Sequence, residues 1–350
     1  PLLMSTTTTP PESGQPAPGH AVPAPTGGPF VTSRLGRVRR ALGPIRDAQG
    51  FSKWLLWVGT ALTLLFVVLA VFAPFIAPYD FDQYRVGGEQ FTKYAEPSAQ
   101  HWFGTTVQRL DVLSRVVFGA RTAIEVVVLA LAFSLTIGVP LGLVSGYFGG
   151  PLDRALVLIT DALFAFPYLL LAIVIAFLLT GFVGGGVMTA AIAITVVYIP
   201  QYFRVVRNST LSAREATYVE AARALGARPG TVMRRYILGN VIQSVPVIAT
   251  LNAADSILTL AGLGFLGYGI QPTDAAEWGY DLQRAISDAS AEIWWTGLFP
   301  GLAIVLLVMG LTLAGEGLND TLNPVLRRRK LVEVHLPDRR PEPGESGASR

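Results

Sequence analysis

The chain has 350 residues, 51% of them hydrophobic and 15% charged, with a positive mean hydropathy. That is too apolar for an ordinary water-soluble domain of this size, and several membrane spans are the simplest account. Cysteine is absent and the formal net charge is only +3, which excludes disulfides, thiolate metal sites and cysteine nucleophiles and makes the distribution of charge more informative than its sum.

The first 29 residues are rich in Pro, Thr, Ser, Ala and Gly and almost uncharged, a composition that buries too little surface to offset ordering entropy, so residues 1–33 are expected to be a disordered tail. Pro1, Leu2 and Leu3 precede Met4 and are set aside from fold reasoning as an expected remnant. Residues 34–53 carry Arg34, Arg37, Arg39, Arg40, Arg46 and Lys53. With a full-length apolar run behind them and no small-residue cleavage site, they read as a cytoplasmic anchor and not as a signal peptide.

Six apolar segments follow, near Trp54–Phe75, Thr122–Val144, Ala155–Leu179, Gly186–Tyr202, Val241–Leu266 and Ile293–Gly315. Each is close to the roughly 20 residues that cross a bilayer as a helix. Helices are expected because any other open backbone would leave polar groups unpaired in lipid. With the amino terminus inside, 21 of the 27 Lys and Arg residues fall on the inner side, so both termini are expected in the cytoplasm. Residues 54–77 form the first span and its exit. Residues 78–121 form an outer loop ending in LDVLSRVVFGART, where Leu110, Leu113, Val117 and Phe118 suggest a short interfacial helix. Residues 122–326 form a core with the other five spans, and 327–350 a basic, disordered tail whose Arg327–Lys330 run pins the last span inside.

A charged stretch, residues 204–240, lies between the fourth and fifth spans on the inner side. Tyr218, Ala221, Ala222 and Leu225 fall at three- and four-residue spacing and are expected to share one helical face, with Arg214, Glu215, Glu220 and Arg223 elsewhere. Gly226 stops this helix. Ala227, Arg228, Pro229 and Gly230 form a turn, and Pro229 opens a second helix, where its missing N–H costs nothing. The outcome is a helix, a sharp bend and a second helix, with two alanines making a low surface for close docking. The plainer reading is a soluble connection between spans.

Inside the membrane, Asp161, Asn252, Asp255 and Ser256 are the notable polar residues. Asn252 and Ser256 are four apart and share a face, with Asp255 beside it. That face either borders a translocation path or supplies hydrogen bonds between helices. No Gly-Lys pair occurs, so the chain lacks a phosphate-cradling loop for ATP. His20, His101 and His335 stand apart from other ligand-type residues, and Ser145 and Asp153 make no triad with any of them.

Glu220, Ala221, Ala222, three residues and then Gly226 resemble the signature loop through which bacterial ATP-binding-cassette importer permeases grip their ATPases. Further motifs place the resemblance in the dipeptide and oligopeptide class over roughly residues 50–326. In the outer loop His101, Gly104, Thr105, Asp111–Arg115 and Gly119–Arg121 match. The inner turn contributes Gly146–Gly150 and Asp153; Asp161, Ala165, Phe166 and Pro167 follow, then Phe265, Leu266, Gly267 and Gly269. Near the end come Pro300, Gly301, Gly315, Gly317, Leu318, Asp320, Leu322 and Pro324. Departures occur at Thr106, Val107, Arg109, Leu110, Tyr236, Leu238, Gly239 and Leu260.

The resemblance implies an all-α integral membrane protein of the type I importer permease fold in the bacterial cytoplasmic membrane. Such a chain is no enzyme and holds no cofactor or metal itself, ATP and Mg being bound by two partner ATPase subunits docked at Tyr218, Glu220, Ala221, Ala222, Leu225, Gly226, Ala227 and Arg228. A homologous second permease would complete a heterodimer, and an extracytoplasmic binding protein would deliver peptide. Membrane lipid surrounds it, and no nucleic acid is involved. Alternatives are a permease of the same family for nickel, glutathione or another small solute, and a self-sufficient secondary transporter or channel.

Overall fold

The computed structural model describes residues 51–322. The expected tails, the basic segment as far as residue 50, His20, His335 and the Arg327–Lys330 run lie outside the described residues. Helix α1 (Phe51–Val71) and the single turn α2 (Ala73–Ile76) lead to a minimal hairpin, β1 (Arg85–Val86) and β2 (Glu89–Gln90), registered Arg85↔Gln90 and Val86↔Glu89. Its turn is Gly87-Gly88 at φ 60° and 91°, the positive values that a two-residue hairpin turn demands. Then come α3 (Val112–Phe148), α4 (Gly150–Ala165), α5 (Tyr168–Val183), α6 (Val187–Arg214) and α7 (Thr217–Ala224). Helix α8 (Pro229–Phe265) follows, and α9 (Trp278–Ala289) and α10 (Trp295–Leu322) complete the described chain.

Helices α1, α3, α6, α8 and α10 are each long and apolar enough to cross a membrane. The expected third span is not a straight helix: α4 and α5 pass the same test only as a pair, bent by 100°. The break is local chemistry. Proline crowds the backbone of the residue before it out of the helical region, and Phe166 sits at φ −79°, ψ 140° ahead of Pro167. Counting the pair as one gives six candidate spans among the described residues.

Two other expectations are corrected. The stretch at 110–122 does not form a separate interfacial helix, because α3 runs unbroken from Val112, with Val112, Val117 and Ala120 all buried. The fourth span does not end at Tyr202, since α6 continues to Arg214. The helix opened by Pro229 passes Gly239 without a break. It continues through a π-helical turn, Val232–Ile237, and a 3₁₀ turn, Ile242–Ser244, into the membrane portion of α8.

Small residues set how closely the helices approach, as expected where lipid supplies no hydrophobic drive for association. Gly138, Gly142 and Gly146 repeat every four residues along α3 and meet α6 backbone to backbone. A Cβ at Gly142 would lie 2.6 Å from the Phe203 carbonyl oxygen, and one at Gly146 2.7 Å from that of Arg207. Helix α1 packs on α10 in the same way through Gly59, Gly310 and Gly317. Ile194, Ile257, Leu263, Leu307, Val126 and Tyr202 form the centre of the core.

Beyond one end of the bundle, Asp111 organises the 78–111 loop. It caps α3 by accepting from Ser114 N and Ser114 Oγ, both at 2.8 Å, and pairs with His101 Nδ1 at 2.9 Å. Helix α9 is tied to this layer by Arg115 Nε to Asp281 Oδ1 at 2.7 Å, by Tyr94 OH to Asp288 at 2.7 Å, and by Trp278 Nε1 donating to the Val116 carbonyl at 3.1 Å.

Candidate functional site

The charged stretch folds as a helix, a bend and a second helix. Its connecting part is shorter than the sequence suggests, because α6 and α8 extend into it from both sides. Helix α7 ends in a paired-bond cap: Ala227 N donates to the Ala222 carbonyl at 3.0 Å and Gly226 N to that of Arg223 at 2.9 Å. Gly226 takes φ 79° there, which a side-chain-free residue adopts without strain. Pro229 then opens α8.

The expected common face splits. Val219 is buried with Val206, Val232, Ile237 and Val241, and Ala222, three residues on, is buried too. Tyr218, Glu220, Ala221, Leu225, Gly226 and Arg228 are exposed, Leu225 by 89%, and Ala227 is half-buried. The reason is helical pitch: Ala222 lies about 100° around the axis from Ala221, and the apolar pair Val219–Ala222 claims the inner side. Polar contacts seat α7 from both flanks. Asn240 Nδ2 donates to Tyr218 OH at 2.6 Å, and the Arg223 guanidinium stands 5.1 Å from the centre of the Tyr147 ring on α3.

Beneath this helix lies a brace that sequence reading did not assemble. Arg207 of α6 grips Asp153 of α4 with two parallel bonds, Nη2 to Oδ2 at 2.7 Å and Nε to Oδ1, while Ser145 Oγ of α3 bonds the same carboxylate. Arg214 Nη1 donates to the Gly146 carbonyl at 3.1 Å. Residues 54 positions apart share no helical period, so no local pattern announces such a pair.

The candidate path residues also part company. Asn252 and Ser256 are fully buried inside the bundle, where Ser256 Oγ bonds the Asn252 carbonyl at 2.6 Å. The Asn252 amide and the nearby Tyr202 hydroxyl lie outside hydrogen-bonding geometry. Asp255 points the other way and is exposed. Asp161 is exposed on α4 and ion-paired with Arg204 at 2.7 Å. The expectation that Asn252, Ser256 and Asp255 line one path is therefore corrected. Positions 255 and 256 lie about 100° apart around the helix axis, so on a helix with one buried and one open side they face different surroundings.

Asp255 lines a cavity of about 390 Å³ between the α4–α5 bend, α6 and α8, with Phe164, Phe166, Tyr168, Tyr198 and Gln201. The cavity lies against the bend at Pro167, with Leu163, Phe164 and Phe166 on one arm and Tyr168 and Leu171 on the other. Among the described residues no cluster of three metal-ligating side chains is present.

Residues 138–328 match the family model described as the binding-protein-dependent transport system inner membrane component, and residues 51–97 match the N-terminal TM domain of oligopeptide transport permease C. The dipeptide transport system permease protein DppC of Alkalihalophilus pseudofirmus is 36% identical over 292 residues, 82% of this chain and 92% of its own. Glutathione transport system permease proteins GsiD are similar: that of Pectobacterium atrosepticum is 36% identical over 75% of this chain and 85% of its own, and that of Escherichia coli O6:K15:H31 is 39% identical over 75% and 84%. The fold is similar to a chain of the MetNI methionine ABC transporter in inward-facing conformations, at TM-score 0.50 and 21% identity, covering 60% of this chain and 96% of that one. A multi-pass helical protein with these matches over most of its length belongs to the binding-protein-dependent transport system inner membrane component family, the permeases of ATP-binding-cassette importers.

Proposed function

We propose that this permease imports di- or oligopeptides as one half of a translocation path, with a homologous permease supplying the other half. Two ATPase subunits bind ATP and Mg and drive it from the cytoplasmic side, and an extracytoplasmic binding protein delivers cargo. Both termini then face the cytoplasm of a bacterial inner membrane, in line with the 21 of 27 basic residues on that side. Glutathione, itself a peptide, is the second reading for cargo, favoured by the relatives named for its transport.

The observation that carries this reading is the split of α7. One side is anchored by Val219, with Ala222 buried beside it, and the other presents Glu220, Ala221 and the almost bare Leu225. An exposed apolar tip on a rigidly seated helix suits insertion into a groove of a partner. Closing of the ATPases would push this helix as a rigid body and switch access across the membrane.

Co-purification in mild detergent tests it. Wild type should bring down the ATPases, whereas Leu225→Glu and Gly226→Arg should lose them by tenfold or more with the permease still inserted. Full ATPase recovery with both variants would remove α7 as the docking element. Recovery of none with wild type would move the self-sufficient transporter forward.

A further inference from the structure

Among the described residues, none offers a countercharge to the Asp255 carboxylate at the cavity. Helix α5 carries no acidic or basic residue, and between Val245 and Phe265 helix α8 carries only Asp255. On α6, Arg204 is paired with Asp161, Arg207 with Asp153 and Arg214 with Glu215. The remaining cation of α4, Arg154, is nine residues before Leu163, or about 13 Å along a helix. Arg234 and Arg235 lie 21 and 20 residues before Asp255 on α8, about 30 Å away by the same rise. A carboxylate at membrane depth without a countercharge is costly, and it marks a place where a cation or water comes and goes.

The rest of the lining is selective in the same sense. Phe166, Tyr168 and Tyr198 surround the space, and aromatic π-faces attract ammonium groups. Phe164, at the cavity edge, already takes a cation, with the Arg204 guanidinium 4.2 Å from its ring centre. Tyr198 OH is engaged with Thr259 Oγ1 at 3.2 Å, and Gln201 offers a neutral amide to a second polar group. The volume, about 390 Å³, lies within the roughly 300–1,000 Å³ of small-ligand pockets.

We propose that Asp255, with Phe166, Tyr168 and Tyr198, forms a subsite for the ammonium group of a small solute in transit, so that this permease engages cationic amino ends at this point of the route and does not hold solutes that lack one. The proposal rests on the importer reading only in taking the cavity as part of the route. Its electrostatics can be tested without any cargo.

The chain has no cysteine, so Leu258→Cys, three residues from Asp255 on the same cavity wall, introduces its single thiol. In the assembled transporter, that thiol is modified with trimethylammonium-ethyl and sulfonatoethyl methanethiosulfonates, and the rates are read by mass spectrometry of this chain. The cation-to-anion rate ratio should fall about tenfold when Asp255→Asn is added. Tetramethylammonium should slow modification when Asp255 is present and lose that effect with Asn, while N-acetylglycine should not protect.

An unchanged ratio overturns the subsite. A thiol unreactive to both reagents overturns it too, because the surface is then covered by lipid or by the second permease. Loss of the second permease on Asp255→Asn would assign the carboxylate to an ion pair between subunits instead. Failure of the importer reading is separate: it would appear as absent ATPase co-purification in the wild type, whatever the thiol reports.

Discussion

Glu277 shows how a single buried side chain acquires two opposed roles. Its carboxyl caps α9, accepting from Gly279 N and Tyr280 N at 2.7 Å each, and is almost fully enclosed against Gly264 of α8. Burial pushes its pKa up to about 8 from the ordinary 4.5; the neighbouring Asp281 charge acts in the same direction, while the two backbone bonds and Arg115 act against it. The folded state therefore binds a proton that the unfolded state releases. This contribution is fully favourable below about 4.5 and is lost as pH rises towards 8. Thermal unfolding of the detergent-solubilised protein should show a midpoint that declines across this window, and Glu277→Gln should flatten the decline. Glu277→Ala should cost more, of the order of the 0.5–2 kcal/mol of a lost cap. An equal slope in wild type and Glu277→Gln would assign the pH dependence to other groups. Nothing in the sequence around Glu277 announced this role, because the desolvation comes from α8, which crosses over it only in the fold.

Among the elements, the α3–α6 pair was partly legible. Gly138, Gly142 and Gly146 repeat at four residues, a spacing that signals close helix approach, but their partners on α6 lie some 60 positions later and carry no matching signal. Gly142→Val should force the two backbones apart, since its Cβ would sit 2.6 Å from the Phe203 carbonyl and 2.9 Å from Val206 Cβ. Overpacking of this kind costs about 1–3 kcal/mol. A lower unfolding midpoint and reduced monodisperse yield are expected, and an unaltered midpoint would mean that α6 shifts freely. The bend between α4 and α5 was legible in hindsight at Pro167, yet hydropathy alone joined the two halves into one span, because a running average is blind to a single backbone break.

At the scale of the whole molecule, the Asp153–Arg207 brace links α4 to α6, with Ser145 of α3 on the same carboxylate. Arg214, at the end of α6, bonds the Gly146 carbonyl of α3, and Arg223 of α7 stands over Tyr147 of the same helix. If α7 docks the ATPases as proposed, a push on it would reach three helices together, as a rigid-body transition requires. Arg207→Ala should leave ATPase subunits bound while lowering substrate transported per ATP hydrolysed severalfold in reconstituted vesicles. Transport and hydrolysis falling in proportion would make the brace a stability device only. Removing one partner of a half-buried, doubly bonded pair also strands the other, so Arg207→Lys, which keeps the charge, should recover part of the coupling.

By itself, the sequence determined that this is a helical membrane protein of the importer permease family, because composition, span length and ordered motifs are properties of the linear chain. It also located the cap at Gly226 and the helix start at Pro229, since both depend on backbone chemistry within a few residues. Only the tertiary structure decided which sides of α7 and α8 are buried. It separated Asn252 and Ser256 from Asp255, placed Asp153 against Arg207, and opened the cavity at the Pro167 bend. Each of these depends on which distant helix covers a given face, and helical period specifies the faces without specifying what packs on them.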